Sequence, residues 1–179
     1  YSRETTLWSI DNSLRMLKTD FLDAVLVHDP QTTEQILSPG AVLDTLEELR
    51  GQKVLQRIGV GARSHDIHRK CVVSGRFDLI LTFMDYTPVN RSADSLIQTA
   101  CDNGVAVLNG SPLAMGLLSG SDPRKISCRC PHRWTRAEMN CAVRLTEWCQ
   151  KNGIDVRALA LQYSLSDPRI SVTLNGAAT

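Results

Sequence analysis

FLDAVLVHDP, residues 21–30, is an apolar run that stops abruptly in a histidine, an acid and a proline. Leu22, Val25, Leu26 and Val27 are bulky and β-favouring, and a short, nearly continuous apolar run before a breaker predicts a strand buried on both faces, as in a parallel sheet. Its polar tip then marks the C-terminal end of the strand, where open and closed α/β sheets place ligands and chemistry. His28 is the first candidate functional residue on that ground; the competing reading is a histidine that only hydrogen-bonds a neighbouring loop.

N-terminal to this run, Ser2 is placed to cap a helix whose Glu4 favours the positive N-terminal end, and Leu7, Ile10, Leu14 and Leu17 recur along it at helical spacing. After the histidine, QTTEQIL reads as a polar loop leading to Ser38 and Pro39, an N-cap followed by proline at the first helical position, with Val42, Leu43, Leu46 and Leu49 forming one face and Gly51 near the stop. Residues 54–60 read as a second strand tipped by Gly61, Ala62 and Arg63, and Ser64 opens a helix that closes near Gly75. A third strand spans 77–84 and ends in Asp85, Tyr86, Thr87 and Pro88. Ser92 then opens a helix through Leu96, Ile97, Ala100 and Cys101 to a Gly104 cap. Residues 105–108 form a fourth strand leading into Asn109, Gly110, Ser111, Pro112 and Leu113. The stretch 114–136, rich in Gly, Ser, Pro and Arg, shows no helical or strand period, and a loop of that length in a compact domain is usually functional. Helices over about 137–152 and 156–164 and a fifth strand over 170–174, tipped by Asn175 and Gly176, complete the pattern. Strand and helix alternate throughout, which predicts an α/β fold with a parallel sheet, either open or closed into a barrel.

A chain of 179 residues fits one domain, and 42% apolar with 22% charged residues suits a globular protein with a sizeable core. The formal charge is +1, with Lys and Arg scattered among acids, so no nucleic acid or anionic membrane surface is implied as a partner. No apolar run reaches about 18 residues and no basic-then-apolar leader opens the chain, so the expected compartment is the cytoplasm. Of six cysteines, Cys71, Cys101, Cys141 and Cys149 fall in predicted helices and read as buried free thiols. Cys128, Cys130 and His132 could in principle supply three zinc ligands, but no fourth is apparent and Cys-x-Cys is not a usual structural-zinc spacing, so no metal site is expected.

SLRMLKTDFLDAVLVHDP (13–30), LEELRGQKVLQRIGVGA (46–62) and NGSPLAMGLLSG (109–120) together resemble the aldo-keto reductases, most closely the aldose dehydrogenase branch that includes galactose and fucose dehydrogenases, with weaker agreement through ALALQYSLSDPRISVTLNGA (158–177). The resemblance implies an eight-stranded β/α barrel carrying NAD or NADP across the C-terminal strand ends. The opening strand here corresponds to that family's fourth and the last to its eighth, so the expectation is a partial (β/α)8 TIM barrel, one domain over 1–179, with about five parallel strands and flanking helices. A complete barrel typically needs about 250 residues, and the chain accordingly reads as a fragment or a shortened relative.

The resemblance also implies chemistry. The family reduces carbonyls or oxidises alcohols with a tyrosine as proton donor or acceptor, tuned by a lysine and an aspartate, while a histidine orients the substrate oxygen. His28 matches the histidine; the tyrosine, lysine and aspartate find no matching positions, and neither Tyr1 nor Tyr86 fits the tyrosine's motif. Ser111, Pro112 and Leu113, with Ala114, Gly116 and Leu118 after them, look like the loop whose backbone amides and hydroxyl hold the cofactor pyrophosphate, a task suited to backbone N–H groups; without the resemblance they read as a proline-containing turn. The usual serine–asparagine pair at the second strand tip is replaced by Gly61, Ala62 and Arg63. The usual glutamine on the third strand gives way to a stretch around Phe83 and Asp85, and Gly110 stands where many members carry an aromatic ring. Arg63, as an anion contact or a solvated charge, Asp85, and Asn109 and Asn175, as contacts to a sugar or cofactor amide or as turn caps, are further candidates.

The leading expectation is therefore NAD(P)-dependent oxidation of an aldose or reduction of a carbonyl, on a small-molecule substrate. Two alternatives stay open: a non-catalytic fragment or nucleotide-binding module, and another β/α-barrel lyase or isomerase using His28 and Asp29 as acid/base groups. Five parallel strands leave two edges, at 21–28 and 170–174, that invite self-association, and Val25, Val27, Ile58, Ile80, Leu81 and Val107 are expected to lack packing partners on the inner face.

Overall fold

Ser2, extended at φ −76° and ψ 159°, accepts the Thr5 N–H on its hydroxyl, and α1 (Arg3–Leu17) starts there as its sequence predicts. The computed structural model describes residues 1–129 and 132–176, without the side chains of Ser127 and Arg129. After α1 come β1 (Leu22–His28), α2 (Glu34–Leu37), α3 (Val42–Gly51), β2 (Leu55–Gly61), α4 (His65–Val73), β3 (Leu79–Phe83), α5 (Asp94–Asp102), β4 (Ala106–Gly110), α6 (Pro123–Arg129), α7 (Arg136–Lys151), α8 (Val156–Leu165) and β5 (Val172–Leu174). The strands follow one another in a single sheet in chain order. Two compact units divide the chain, Tyr1–Leu81 with Gln98–Ala106, and Thr82–Ile97 with Val107–Thr179.

In the first unit β1 and β3 both pair parallel to β2, with Val25 opposite Ile58 and Val27 opposite Val60, itself opposite Ile80. Val27, Ile58, Val60 and Ile80 are buried. Ile10 of α1 and Val42 and Leu46 of α3 share a cleft of about 240 Å³ with Val25 and Val27, so these helices cover that face of the sheet. Burying each such side chain contributes about 1.5–3 kcal/mol. The expectation that Val27, Ile58 and Ile80 would be left without partners is thereby overturned, as it is for the buried Val107 of the second unit. Strand alternation puts Val25, Val27, Ile58 and Ile80 together on the helix-covered face and Leu81 on the other, where it is half-buried. On that other face Leu26, Gly59 and Leu79 lie in register. A Cβ at Gly59 would come 2.7 Å from Leu79 Cγ and 3.1 Å from Leu26 Cγ, so the missing side chain is what lets the two leucines close over β2.

β1 itself is not buried on both faces. Val27 is buried, but Asp23, Ala24 and His28 are exposed, because among the described residues β1 has a strand neighbour on one side only.

Several element boundaries depart from expectation for local reasons. Ser38 is the C-cap of α2, a short helix inside the expected loop, and not the N-cap of α3. A turn from Ser38 to Ala41 intervenes, and Gly40, at φ +78°, donates its N–H to the Asp44 carboxylate at 2.7 Å. α5 starts at Asp94 because Ser92 donates its N–H to the Asn90 side chain and Asp94 donates to the Arg91 carbonyl, which keeps this stretch in turns. β4 runs on to Gly110 because Asn109 and Gly110 pair with Thr173 and Leu174 of β5. The expected 114–136 loop contains a 3-10 turn at Ala114–Gly116 and the helix α6. Cys71 and Cys149 are buried free thiols, whereas Cys101 is exposed.

The second unit has its own core of Ala114, Leu117, Leu118, Trp134, Ala142, Cys149, Val156 and Ala160. Thr135 and Glu138 form a reciprocal capping box at the start of α7. Arg169, just before β5, bonds both Asp167 and Asp94, at 2.6 and 2.7 Å, and Asp167 also accepts the Tyr86 hydroxyl. Arg169 holds the Asp167 carboxyl below the usual carboxylate range, while burial, and then the bond to Asp167, pushes the Tyr86 phenol up.

Candidate functional site

Three strands end in the same way. Asp29 after β1, Met84 after β3 and Ser111 after β4 have φ of +46°, +63° and +61°. Each donates its N–H to the terminal carbonyl of a strand: Asp29 to Gly61 at 2.7 Å, Met84 to Gly110 at 3.1 Å and Ser111 to Leu174 at 3.1 Å. None is a glycine, and a left-handed backbone at such residues costs of order 1–3 kcal/mol, which surrounding structure must offset. Strain of this kind concentrates at functional sites, and here it falls at C-terminal strand ends.

In the first unit, His28 closes β1 opposite Gly61 of β2 and its ring is exposed; its carbonyl accepts the Tyr1 hydroxyl. Arg63, two residues beyond β2, is also exposed, so the structure brings these two candidates to the same end of neighbouring strands. Between them the exit of β2 is held by a residue that was not anticipated: the fully buried His68 of α4 accepts the Ala62 N–H on Nε2 at 3.3 Å. The signal for His68 was its place on the apolar face of α4 beside Ile67, Cys71 and Val72, where a histidine needs a specific partner.

In the second unit, Asp85 is buried and its carbonyl accepts the Ala93 N–H. Asn109 is fully buried; its amide donates to the Tyr86 carbonyl at 2.8 Å and to Ser164 Oγ at 2.7 Å, and Ser164 is in turn bonded to Thr173 at 2.7 Å. Asn109 is thus committed to the core and presents nothing to a sugar or cofactor amide. Asn175, past the end of β5, is exposed.

The loop expected to cradle a pyrophosphate is closed on itself. Ala114 donates its N–H to the Ser111 carbonyl, Gly116 and Leu118 donate to Leu113, Leu117 to Ala114 and Ser119 to Gly116, all within 3.2 Å. The Met115 N–H goes to Ser111 Oγ at 3.0 Å. Pro112, Ala114 and Leu118 are buried, while Ser111, Leu113 and Gly116 are partly accessible. The N–H groups of residues 114–119 are therefore not directed at an anion. The Ser111 hydroxyl accepts from Met115 and keeps its own proton to donate. Among the described residues no His, Cys, Asp or Glu group is arranged to hold a metal ion. Cys130 of the zinc reading lies outside the described residues, as does Ala177 at the end of the fourth resembling stretch.

The family model described as Aldo/keto reductase family matches residues 1–179. L-galactose dehydrogenase of Arabidopsis thaliana is 30% identical over 181 residues, covering 98% of this chain and 54% of that protein. D-threo-aldose 1-dehydrogenase of a Pseudomonas species is 27% identical over 171 residues, covering 94% and 52%. The solved holo form of an aldo-keto reductase from Bacillus halodurans superposes with a TM-score of 0.76 at 21% identity, covering 99% of this chain and 58% of that one, a likeness of fold. The chain spans about half the length of the curated relatives it matches.

Proposed function

Because this chain belongs to the aldo/keto reductase family, we propose that it serves NAD(P)-dependent oxidation of an aldose or reduction of a small carbonyl. The observation that carries this reading is the exposed His28 at the C-terminal end of β1, the position the resemblance assigns to the histidine that orients the reacting oxygen. In this reading the His28 imidazole hydrogen-bonds that oxygen, and the Ser111 hydroxyl donates to an anionic oxygen of the dinucleotide. Arg63 and Asn175, exposed past β2 and β5, are further polar contacts. When bound, the dinucleotide supplies or accepts the hydride. Aldoses come first among substrates because two relatives are named as dehydrogenases of galactose and threo-aldoses. The free buried thiols of Cys71 and Cys149 suit a reducing, cytoplasmic setting.

A second reading, a dinucleotide-binding module without turnover, is favoured by one feature: the Tyr1 and Tyr86 hydroxyls, neither of which fits the motif of the family's acid/base tyrosine, are bonded to the His28 carbonyl and to Asp167. A positioned proton donor contributes about 10²–10⁴-fold. Calorimetric titration with NADH and NADPH, beside an aldose-oxidation assay followed at the nicotinamide absorbance, tests both. The first reading expects dinucleotide binding with aldose-dependent turnover at or above about 1 per second, and the second expects binding alone. Absence of binding by either dinucleotide would remove the proposal, and turnover at or above that rate that His28→Ala abolishes would remove the second reading.

A further inference from the structure

The Ser111–Gly116 turn is held by a residue far along the chain. Within it Ser111, Ala114 and Met115 have φ of +61°, +49° and +53°, although none is a glycine. Such a run persists only where its surroundings enforce it. Trp134 reaches in from beyond α6: its indole Nε1–H donates to the Ala114 carbonyl at 2.9 Å, and its ring is buried in the core that contains Ala114, Leu117 and Leu118. Trp134 is in turn fixed through its C-terminal neighbour Thr135, whose capping box with Glu138 anchors the start of α7. Arg133 lies over the indole ring, 5.8 Å from its centroid. The chain of contacts therefore runs from the α7 cap through the indole to the Ala114 carbonyl, and from the neighbouring Met115 N–H to Ser111 Oγ.

We propose that Trp134 is a positioning residue of the dinucleotide site: by holding the Ala114 carbonyl it keeps the Met115 N–H on Ser111 Oγ, which turns the proton of that hydroxyl outward for a ligand oxygen. This rests on the reading of Ser111 as a dinucleotide contact. Without the indole N–H the Ala114 carbonyl keeps only the Leu117 N–H, Ala114 and Met115 are freer to relax toward negative φ, the bond to Ser111 Oγ weakens, and the hydroxyl is less firmly oriented.

The test uses Trp134→Phe in the full chain, which keeps the ring and removes the donor. NADPH and NADH binding should weaken about fivefold, the effect of one neutral hydrogen bond. Exchange of the Met115 amide should accelerate about tenfold as local opening becomes easier. Adding Met115→Gly should return binding to within about twofold of wild type, because glycine adopts positive φ unaided; a purely structural role for the indole predicts no such rescue. Should Trp134→Phe fail to fold, the wild type decides: with the indole signals assigned through Trp8→Phe and Trp148→Phe, at exposed positions, exchange of the Trp134 indole proton should slow on saturation with NADPH. Unchanged indole exchange, or dinucleotide binding that Trp134→Phe leaves as it was, overturns the role of Trp134 alone. Faster Met115 exchange in the variant, with no dinucleotide bound by the wild type, overturns the reading of Ser111 instead.

Discussion

At the scale of single residues, Gly59 and Asn109 show how strand parity decides what a side chain can do. Gly59 lies between Leu26 and Leu79, and the 2.7 Å that would separate an added Cβ from Leu79 Cγ is closer than real Cβ contacts allow. Gly59→Ala is therefore expected to destabilise the chain by about 1–3 kcal/mol. Leu79→Ala, which removes the clashing atom, should destabilise it less on the Gly59→Ala background than on the wild type. Urea unfolding of the two single variants and the double variant checks this, and simple additivity would show that the leucine is not what the glycine accommodates. Asn109 was legible as a polar residue near a strand tip but not as a core residue. Once β4 continues to Gly110, Asn109 falls on the same face as Val107, and a polar side chain there must find buried partners. Asn109→Leu removes the donor to Tyr86 and Ser164 and leaves both acceptors buried, so a loss of about 1–3 kcal/mol is expected; unchanged stability would contradict this account.

At the scale of elements, the alternation of strand and helix was readable because each apolar run ends in polar or glycine residues and each helix keeps one apolar face. Val42, Leu43, Leu46 and Leu49, read as one face of α3, are all buried. The strand exits were not readable in the same way. Asp29, Met84 and Ser111 adopt positive φ without being glycines, and it is the hydrogen bond each makes to another strand's carbonyl, a tertiary contact, that selects the conformation. His68 and Trp134 likewise act on backbone groups 6 and 20 residues away in sequence, beyond any local pattern. The connection from α8 to β5 carries a pH prediction. Asp167 is held below its ordinary range chiefly by Arg169, so it contributes stability that is fully present above the unfolded carboxylate value of about 3.9 and is lost as pH falls toward the folded value. The thermal midpoint of the wild type should fall between about pH 4 and pH 2, and Asp167→Asn should be less stable at pH 7 with a shallower fall over that window. Parallel acid limbs for the two proteins would mean that Asp167 does not report this ion pair.

At the scale of the whole molecule, the strand edges are the feature that invites association, since Val27, Ile58, Val60, Ile80 and Val107 are buried. Among the described residues β1 and β5 each have one strand neighbour. The two edges differ. β5 is three residues long, although Val172 and Leu174 are exposed, and short edge strands are poor templates for pairing. β1 is seven residues long, with Asp23 as the charge along it and Ala24 exposed. A long edge with little charge is the more effective template, so reversible self-association through β1 is the expectation. Ala24→Lys places a charge on that edge, where a surface substitution should change stability by no more than about 0.5 kcal/mol, and it should reduce the concentration-dependent rise in mass seen by light scattering. Val172→Lys on β5 should leave that rise nearly unchanged. Equal effects of the two lysines would move the interface away from β1, and a monodisperse monomer at every concentration would show that the edge is covered from within the chain.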